Sequence, residues 1–363
     1  MNITINHNKF SQAIRTVERI VGKTVSLPIL SAVLLRADHG QLKLSATNLE
    51  MGVQAWVSAK VDTEGSLAIP ARVLSEFIST VTDEKVTLTT EKDILTLSSD
   101  HFKTQILGIK PDEFPIIPSV NEGATISIDS SVLCLVLGSV VDAASTLESR
   151  PELAGVCMQF NGKKLTCAAT DSFRLSERSV PAEGSPMKQI IIPRATAQEV
   201  FRLASNTSEP IRITASETQI SFKSADFELV SRLIDGHYPD YKRVIPEKLA
   251  SSASVARTDL EQNVRMASIF TSSVADLRLS VDSAMLHVLA KNSDRGEMAS
   301  HCPAKLTGGS FDVTVNYHYI LDGIKALNTE RVVIGFSGPG TPLVMRGEGA
   351  SDQVYVIMPL RTP

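Results

Sequence analysis

The run Leu67-Ala-Ile69-Pro70-Ala71-Arg72 reads as a short strand that meets a proline and turns into a helix. The signal returns as Ile190-Ile-Ile192-Pro193-Arg194, and in altered form as Phe311-Asp-Val313-Thr-Val315-Asn316. Ile69, Ile192 and Val315 stand 123 residues apart at each step. A fixed long period is the mark of tandem duplication. Helical stretches follow at 73–81, 196–204 and 317–327, and β-rich runs follow those at 86–88, 211–213 and 332–334.

The front half of each copy keeps the same spacing. Ile3-Thr-Ile5 matches Ile126-Ser-Ile128, Phe10 matches Leu133, Leu42 matches Leu165, and Thr47-Asn48 matches Thr170-Asp171. The third copy opens near Ala253-Ser-Val255. Each copy is doubled internally, because Ile5 and Ile69 both end a short strand that leads into a helix. Phe10, Ile14, Val17 and Val21 share one helix face. Turn residues such as Asp38-His-Gly40 then separate alternating strands. The unit therefore reads strand–helix–strand–strand, twice per domain. The fold class is α+β, with three tandem similar domains and much antiparallel sheet. Helices form one surface of such an array and sheets the other. Proline-rich joins at 114–123 and 238–253 divide the chain into domains 1–121, 122–246 and 247–363, with nothing appended.

The composition, 43% hydrophobic and 21% charged over 363 residues, is that of a globular protein. A net charge of −4 announces no nucleic acid. No apolar run is long enough for a membrane span. The start, Met1-Asn2-Ile3-Thr4, has neither a basic nor an apolar leader region. The expectation is a cytoplasmic protein with no membrane partner. Cys134, Cys157, Cys167 and Cys302 lie too far apart for a structural zinc site. His301-Cys302 is the one His/Cys neighbour pair, and adjacent strand residues point to opposite faces. Neither a metal nor another cofactor is expected.

The catalytic search is negative. No Gly-x-Ser-x-Gly elbow occurs. Gly22-Lys23-Thr24 imitates the end of a phosphate loop, but Val17 replaces the upstream glycine. Gly335-Phe-Ser-Gly338-Pro-Gly340 reads as a hairpin connection. An enzyme of hydrolase type on repeated α+β domains stays the runner-up, and a repeat-built binding protein unrelated to DNA the third reading. Head-to-tail contacts between similar domains leave unmatched ends that close into a ring or grow into a filament. The six helical stretches and their edges carry ten basic and eight acidic residues, Lys9, Arg15 and Arg19 among the basic ones. They are slightly basic within an acidic chain, which suits loose, sequence-blind phosphate contact.

Several segments resemble one family, the bacterial sliding clamp or beta subunit of DNA polymerase III. They are Leu27-Pro-Ile-Leu30, Ile69-Pro-Ala-Arg72, Arg150-Pro-x-Leu153-x-Gly155 and Ala169-Thr-Asp-Ser-Phe-Arg-Leu175. Others are Ile192-Pro-Arg194, Leu233-Ile-Asp-Gly236-x-Tyr-Pro239-Asp-Tyr241-x-Arg243-Val244-x-Pro246 and Tyr355-Val-Ile-Met358-Pro359-Leu-Arg361. The resemblance spans the chain. It implies the DNA-clamp fold, a ring-shaped head-to-tail homodimer around duplex DNA, with helices on the inner face and sheets outside. It also implies a non-catalytic processivity factor for the replicative polymerase, opened and closed by an ATP-driven clamp loader.

The resemblance further implies a partner pocket between the second and third domains for short apolar motifs of polymerases and repair proteins. Matching positions on the second domain are Leu153, Thr170, Ser172, Phe173, Arg174 and Leu175. Pro239, Arg243 and Val244 match on the join, and Gly340 and Pro342 on the third domain. Val356, Ile357, Met358, Pro359, Leu360 and Arg361 match at the end of the chain. Aliphatic and Met walls with a few Arg suit a peptide groove. Ser172-Phe173 stands where Gly-His is frequent, which implies a narrower floor. DNA contact falls to Lys23, Thr24, Arg72 and Arg194, and to the loop containing Leu147, Arg150, Pro151 and Glu152. Thr24 stands at a family arginine position. The dimer seam sets Thr104 and Ile106 against Ile269 and Phe270.

Overall fold

A computed structural model describes residues 1–22, 27–147 and 149–360. Lys23 and Thr24 of the expected DNA contact, and Arg361 of the expected pocket, lie outside the described residues.

The repeat holds more strands than the sequence reading allowed. Each half-copy runs strand, helix, then three strands rather than two. The first is Asn2–Asn6, the helix His7–Glu18 (α1), then Ala32–Asp38, Gln41–Thr47 and Met51–Ser58. Five more helices open the other halves: Ala71–Thr80 (α2), Ser130–Val140 (α3), Arg194–Ala204 (α4), Arg257–Ser268 (α5) and Tyr317–Leu327 (α6). The missed third strands range from five residues, as in Lys103–Leu107, to thirteen in Gly296–Gly308, and Gln353–Ile357 is buried at every position, so alternation does not mark it.

Helix ends follow local chemistry. Asn6 and Asn316 each cap a helix by accepting from a backbone N–H, of Lys9 at 3.2 Å and of His318 at 2.9 Å. At α2 and α4 the preceding prolines already hold a φ suited to the first turn, so both helices start two residues before the sequence reading. Phe10, Ile14 and Val17 are buried along α1 as their spacing requires. Val21 falls outside it, because α1 closes in tight turns from Ile20 and Val21 N–H to the Val17 and Glu18 carbonyls.

The chain forms two compact units that do not follow the repeats, since the middle copy is shared between them. The first unit holds residues 1–130 and 203–233. One of its antiparallel sheets runs Lys60–Thr63, Asn2–Asn6, Lys85–Glu91, Ile94–Ser98, Lys103–Leu107. Another runs from Ala124–Ile128 through Ile211–Ala215, Gln219–Lys223 and Phe227–Arg232 to Met51–Ser58, Gln41–Thr47, Ala32–Asp38 and Gly65–Pro70. Helices α1 and α2 pack together over these sheets.

The second unit holds residues 131–202 and 234–363. Its twelve-stranded sheet begins Met187–Pro193, Gly155–Phe160, Lys164–Thr170, Arg174–Pro181. There it passes directly to Gln353–Ile357, the last strand of the third copy, and continues through Leu343–Gly347, Arg331–Phe336 and Ser251–Ala256 to Gly296–Gly308. The hairpin expected around Gly338 and Gly340 is present: Arg331–Phe336 pairs antiparallel with Leu343–Gly347. Cys302 is buried and His301 exposed, as strand alternation requires.

Helix α6 meets this sheet through Gly323. A Cβ there would stand 2.9 Å from the Tyr355 ring and 3.2 Å from the Met345 sulfur. Helix propensity favours Gly323→Ala by about 1 kcal/mol, whereas overpacking costs about 1–3 kcal/mol. Packing wins, and calorimetry should show a melting temperature lowered by roughly 2–4 °C per kcal/mol. A rise would show that the helix stands off the sheet.

Candidate functional site

The site grows from a tight connection between two strands of the second unit. Lys164–Thr170 turns back into Arg174–Pro181 through Asp171, Ser172 and Phe173. The Asp171 carboxylate accepts the backbone N–H groups of Phe173 and Arg174, both at 2.9 Å. The Thr170 hydroxyl donates to the Arg174 carbonyl at 2.6 Å and accepts from Ser172 N–H at 3.1 Å. Ser172 is held at φ +77°, left-handed space that glycine enters more cheaply.

Arg174 anchors the loop from below. Its guanidinium donates to Asp171 at 3.0 Å, pairs closely with Asp322, and lies 4.8 Å from the centre of the Tyr319 ring. Burial opposes its charge, but Tyr355, Asp322 and Asp171 more than offset that and hold it protonated.

Strand pairing supplies the walls. Leu175 sits opposite Val356 across the seam between the second and third copies. The chain then runs on past the strand, where Met358 N–H donates to the Phe173 carbonyl at 2.8 Å and Leu360 N–H to the Thr314 carbonyl at 2.8 Å. The join folds over the same end. Tyr238 and Tyr241 meet edge to face at 6.0 Å, and the Tyr241 hydroxyl donates to Glu177 at 2.6 Å. Burial, with Glu177 beside it, pushes the Tyr241 phenol well above its ordinary range.

These parts enclose a cavity of about 290 Å³. Leu153, Leu175, Val244, Val356, Met358 and Pro239 give it an apolar surface. Thr170, Ser172, Arg150 and Arg174, with Glu152 and Asp240, set polar groups around it. It is a groove for apolar side chains whose backbone can reach a polar rim. Nothing in it is poised for chemistry. Burial pushes the nearby Cys157 thiol up to about 12, so it stays protonated. Among the described residues, no group of three His, Cys, Asp or Glu side chains could hold a metal ion.

Nine of the residues expected from sequence line the cavity: Leu153, Thr170, Ser172, Arg174, Leu175, Pro239, Val244, Val356 and Met358. Phe173 points outward at 58% exposure, and exposed Arg243 pairs with Asp240 at 2.7 Å. Ile357 faces away from the cavity, into the core of the third copy. Gly340, Pro342, Pro359 and Leu360 lie outside the lining. Arg150 and Glu152, assigned from sequence to DNA, border this cavity, and Pro151 starts the short helix Pro151–Leu153 beside them. Asp240 and Tyr241 were missed. The aromatic run Tyr238-Pro-Asp-Tyr241 was their only signal.

The remaining candidates lie elsewhere. Lys9, Arg15 and Arg19 are exposed along α1. Arg72 is exposed and pairs with Glu76 at 2.7 Å, Arg265 pairs with Glu261 at 2.7 Å, and Lys325 with Asp142 at 2.8 Å. Arg194 is half-buried at the start of α4, and Leu147 is exposed. Lys103–Leu107 is the terminal strand of its sheet. In it Thr104 is half-buried, Ile106 lies in the core at 7% exposure, and Leu107 is 74% exposed. Ile269 is 61% exposed, and Phe270 packs on the third-copy core. Within Gly296–Gly308, residues 296–303 pair with Met285–Asn292 while 304–308 pair with Ser251–Ala256, which leaves 296–303 one unpaired edge among the described strands.

Tandem α+β repeats with a peptide-sized apolar groove at a junction between copies define a repeat-built binding scaffold. Family models for the N-terminal, central and C-terminal domains of the DNA polymerase III beta subunit match residues 1–118, 127–240 and 242–361. The Beta sliding clamp of Staphylococcus aureus is 28% identical, with all of each chain covered. Two crystal structures also match over the full length of each chain. The DNA polymerase III beta subunit from Thermotoga maritima is 26% identical with a TM-score of 0.94, and the sliding clamp from Bartonella birtlesii bound to griselimycin is 27% identical with a TM-score of 0.94. The chain belongs to the DNA polymerase III beta subunit family, the bacterial sliding clamps, which are non-catalytic processivity factors of DNA replication.

Arg174→Ala leaves Asp171 and Asp322 facing a gap beneath the loop. By analogy with broken buried pairs it should cost about 3 kcal/mol, and Arg174→Lys less, because the charge stays while the fork is lost. Urea unfolding measures both. Equal stability of all three proteins would show that Arg174 does not anchor the loop.

Proposed function

We propose that two copies of this chain close head to tail into a ring around duplex DNA and tether the replicative polymerase there. The domains of each copy are 1–121, 122–246 and 247–363. Helices line the hole and sheets form the rim. The observation that carries this reading is a pair of strand edges, unpaired among the described strands, at opposite ends of the repeat series, Lys103–Leu107 in the first copy and 296–303 in the third. Unpaired edges invite another strand. Thr104 and exposed Leu107 on one edge suit exposed Ile269 near the other, while Ile106 and Phe270 support the seam from within.

DNA is held by enclosure. Lys9, Arg15 and Arg19 supply the free positive charge, and Lys23, Thr24, Arg72, Arg194 and the loop 147–152 flank it. Contacts of this kind are sequence-blind and weaken with salt. The 290 Å³ cavity takes short apolar peptide motifs from the polymerase, from the clamp loader that uses ATP to open the ring, and from other polymerases and repair proteins. The whole works in the cytoplasm.

Three measurements test this. Light scattering should give about twice the chain mass of 39.2 kDa, and Leu107→Arg should halve it. Protein loaded on nicked circular DNA should stay until the circle is cut, then slide off the ends. Equal loss from circle and line would remove the ring. Deleting residues 358–363 should abolish binding of polymerase peptides and leave the dimer intact. Unchanged affinity would show that the cavity is not the peptide site.

A further inference from the structure

The first copy repeats the architecture of the peptide cavity almost bond for bond. Thr47 lies 123 residues before Thr170, and its hydroxyl donates to the Met51 carbonyl at 2.9 Å and accepts from Leu49 N–H at 3.1 Å. Asn48 takes the part of Asp171, accepting from Glu50 N–H at 3.0 Å and Met51 N–H at 2.8 Å. Leu49 is held at φ +75°, beside +77° for Ser172. The seam is repeated too. Gly52 pairs with Val230 as Leu175 pairs with Val356. Proline-containing joins, Phe114-Pro115-Ile116-Ile117 and Tyr238-Pro239-Asp240-Tyr241, follow at matching points.

One substitution changes the outcome. Where the second copy has Leu175 in the cavity wall, the first has glycine. Three carbon atoms of the Ile117 side chain stand 2.8–3.0 Å from where a Cβ on Gly52 would be. No leucine fits there while Ile117 is in place. Phe114 holds the strap down by packing on the small core of Ile29, Leu30, Ala32 and Ala68.

We propose that this join is a built-in occupant: Ile117 fills the first copy's counterpart of the peptide cavity and limits each chain to one peptide site. The masked site would take the same class of ligand, a short apolar peptide. Leu49 bears on this. Leu49 has a positive φ and is 49% exposed, both unfavourable for a leucine. It stands where Ser172 borders the open cavity. The inference rests on the reading of the 290 Å³ cavity as a peptide site.

The test is calorimetric titration of the dimer with griselimycin. The wild type should bind one molecule per chain. Ile117→Ala should bind two, the second more weakly, and Ile117→Ala with Gly52→Leu should return to one. One molecule bound by a folded Ile117→Ala dimer overturns the strap and leaves the cavity standing. No binding to either protein overturns the cavity and the strap with it. If Ile117→Ala melts early, Ile117→Val opens a smaller gap and should show the second site at higher ligand concentration. Its absence there counts against the strap equally.

Discussion

The pairing of Arg174–Pro181 with Gln353–Ile357 is the interaction on which the second unit depends. Side chains alternate along a strand, and the last strand uses both faces. Tyr355 and Ile357 complete the core of the third copy, while Val354 and Val356 join the cluster with Leu153, Leu175, Tyr238 and Tyr241. One strand thus finishes a hydrophobic core and builds one wall of the cavity. Arg178 reinforces the seam by donating to Gln353 at 3.0 Å and Asp352 at 3.2 Å. A one-residue slip of register would exchange the two sets of side chains and lose both.

Charge is arranged with similar restraint. Several helical arginines and lysines are matched within their own helix or against a neighbour, including the exposed Arg72, Arg265 and Lys325. Exposed pairs of this kind contribute little stability, about 0–1 kcal/mol each. Their effect is to dilute the positive field, leaving α1 as a modest basic strip. A protein that must move along DNA gains from that, since each tight phosphate contact would be a barrier to sliding.

Much of this was legible in the sequence because duplication writes itself as spacing. The 123-residue period relates five of the six helices, the front half of the third copy being offset from it, and the prolines at 70 and 193 marked two of their starts. The walls of the cavity were recognisable because Leu153, Leu175, Val356 and Met358 stand in runs that resemble the clamp family. What escaped depends on pairing. The parity that sends Ile357 inward is set by register against Arg174–Pro181, far away in sequence, while Ile106 and Leu107 take theirs from the neighbouring strand Ile94–Ser98. The last strand, Gln353–Ile357, is buried at every position and so shows no alternation to announce it. Arg150 and Glu152 border the groove together with Pro239 and Asp240, residues much later in the chain. Tyr241 acquires its place from the Glu177 carboxylate, 64 positions earlier.

The seam and its groove can be examined most directly by hydrogen exchange on the dimer with and without griselimycin. Amides at 170–175 and 353–358 should exchange more slowly when the ligand is bound, while the strand Lys103–Leu107 is unaffected. Protection confined to other segments, or none at saturating ligand, would contradict the claim that this single strand pairing builds the binding surface.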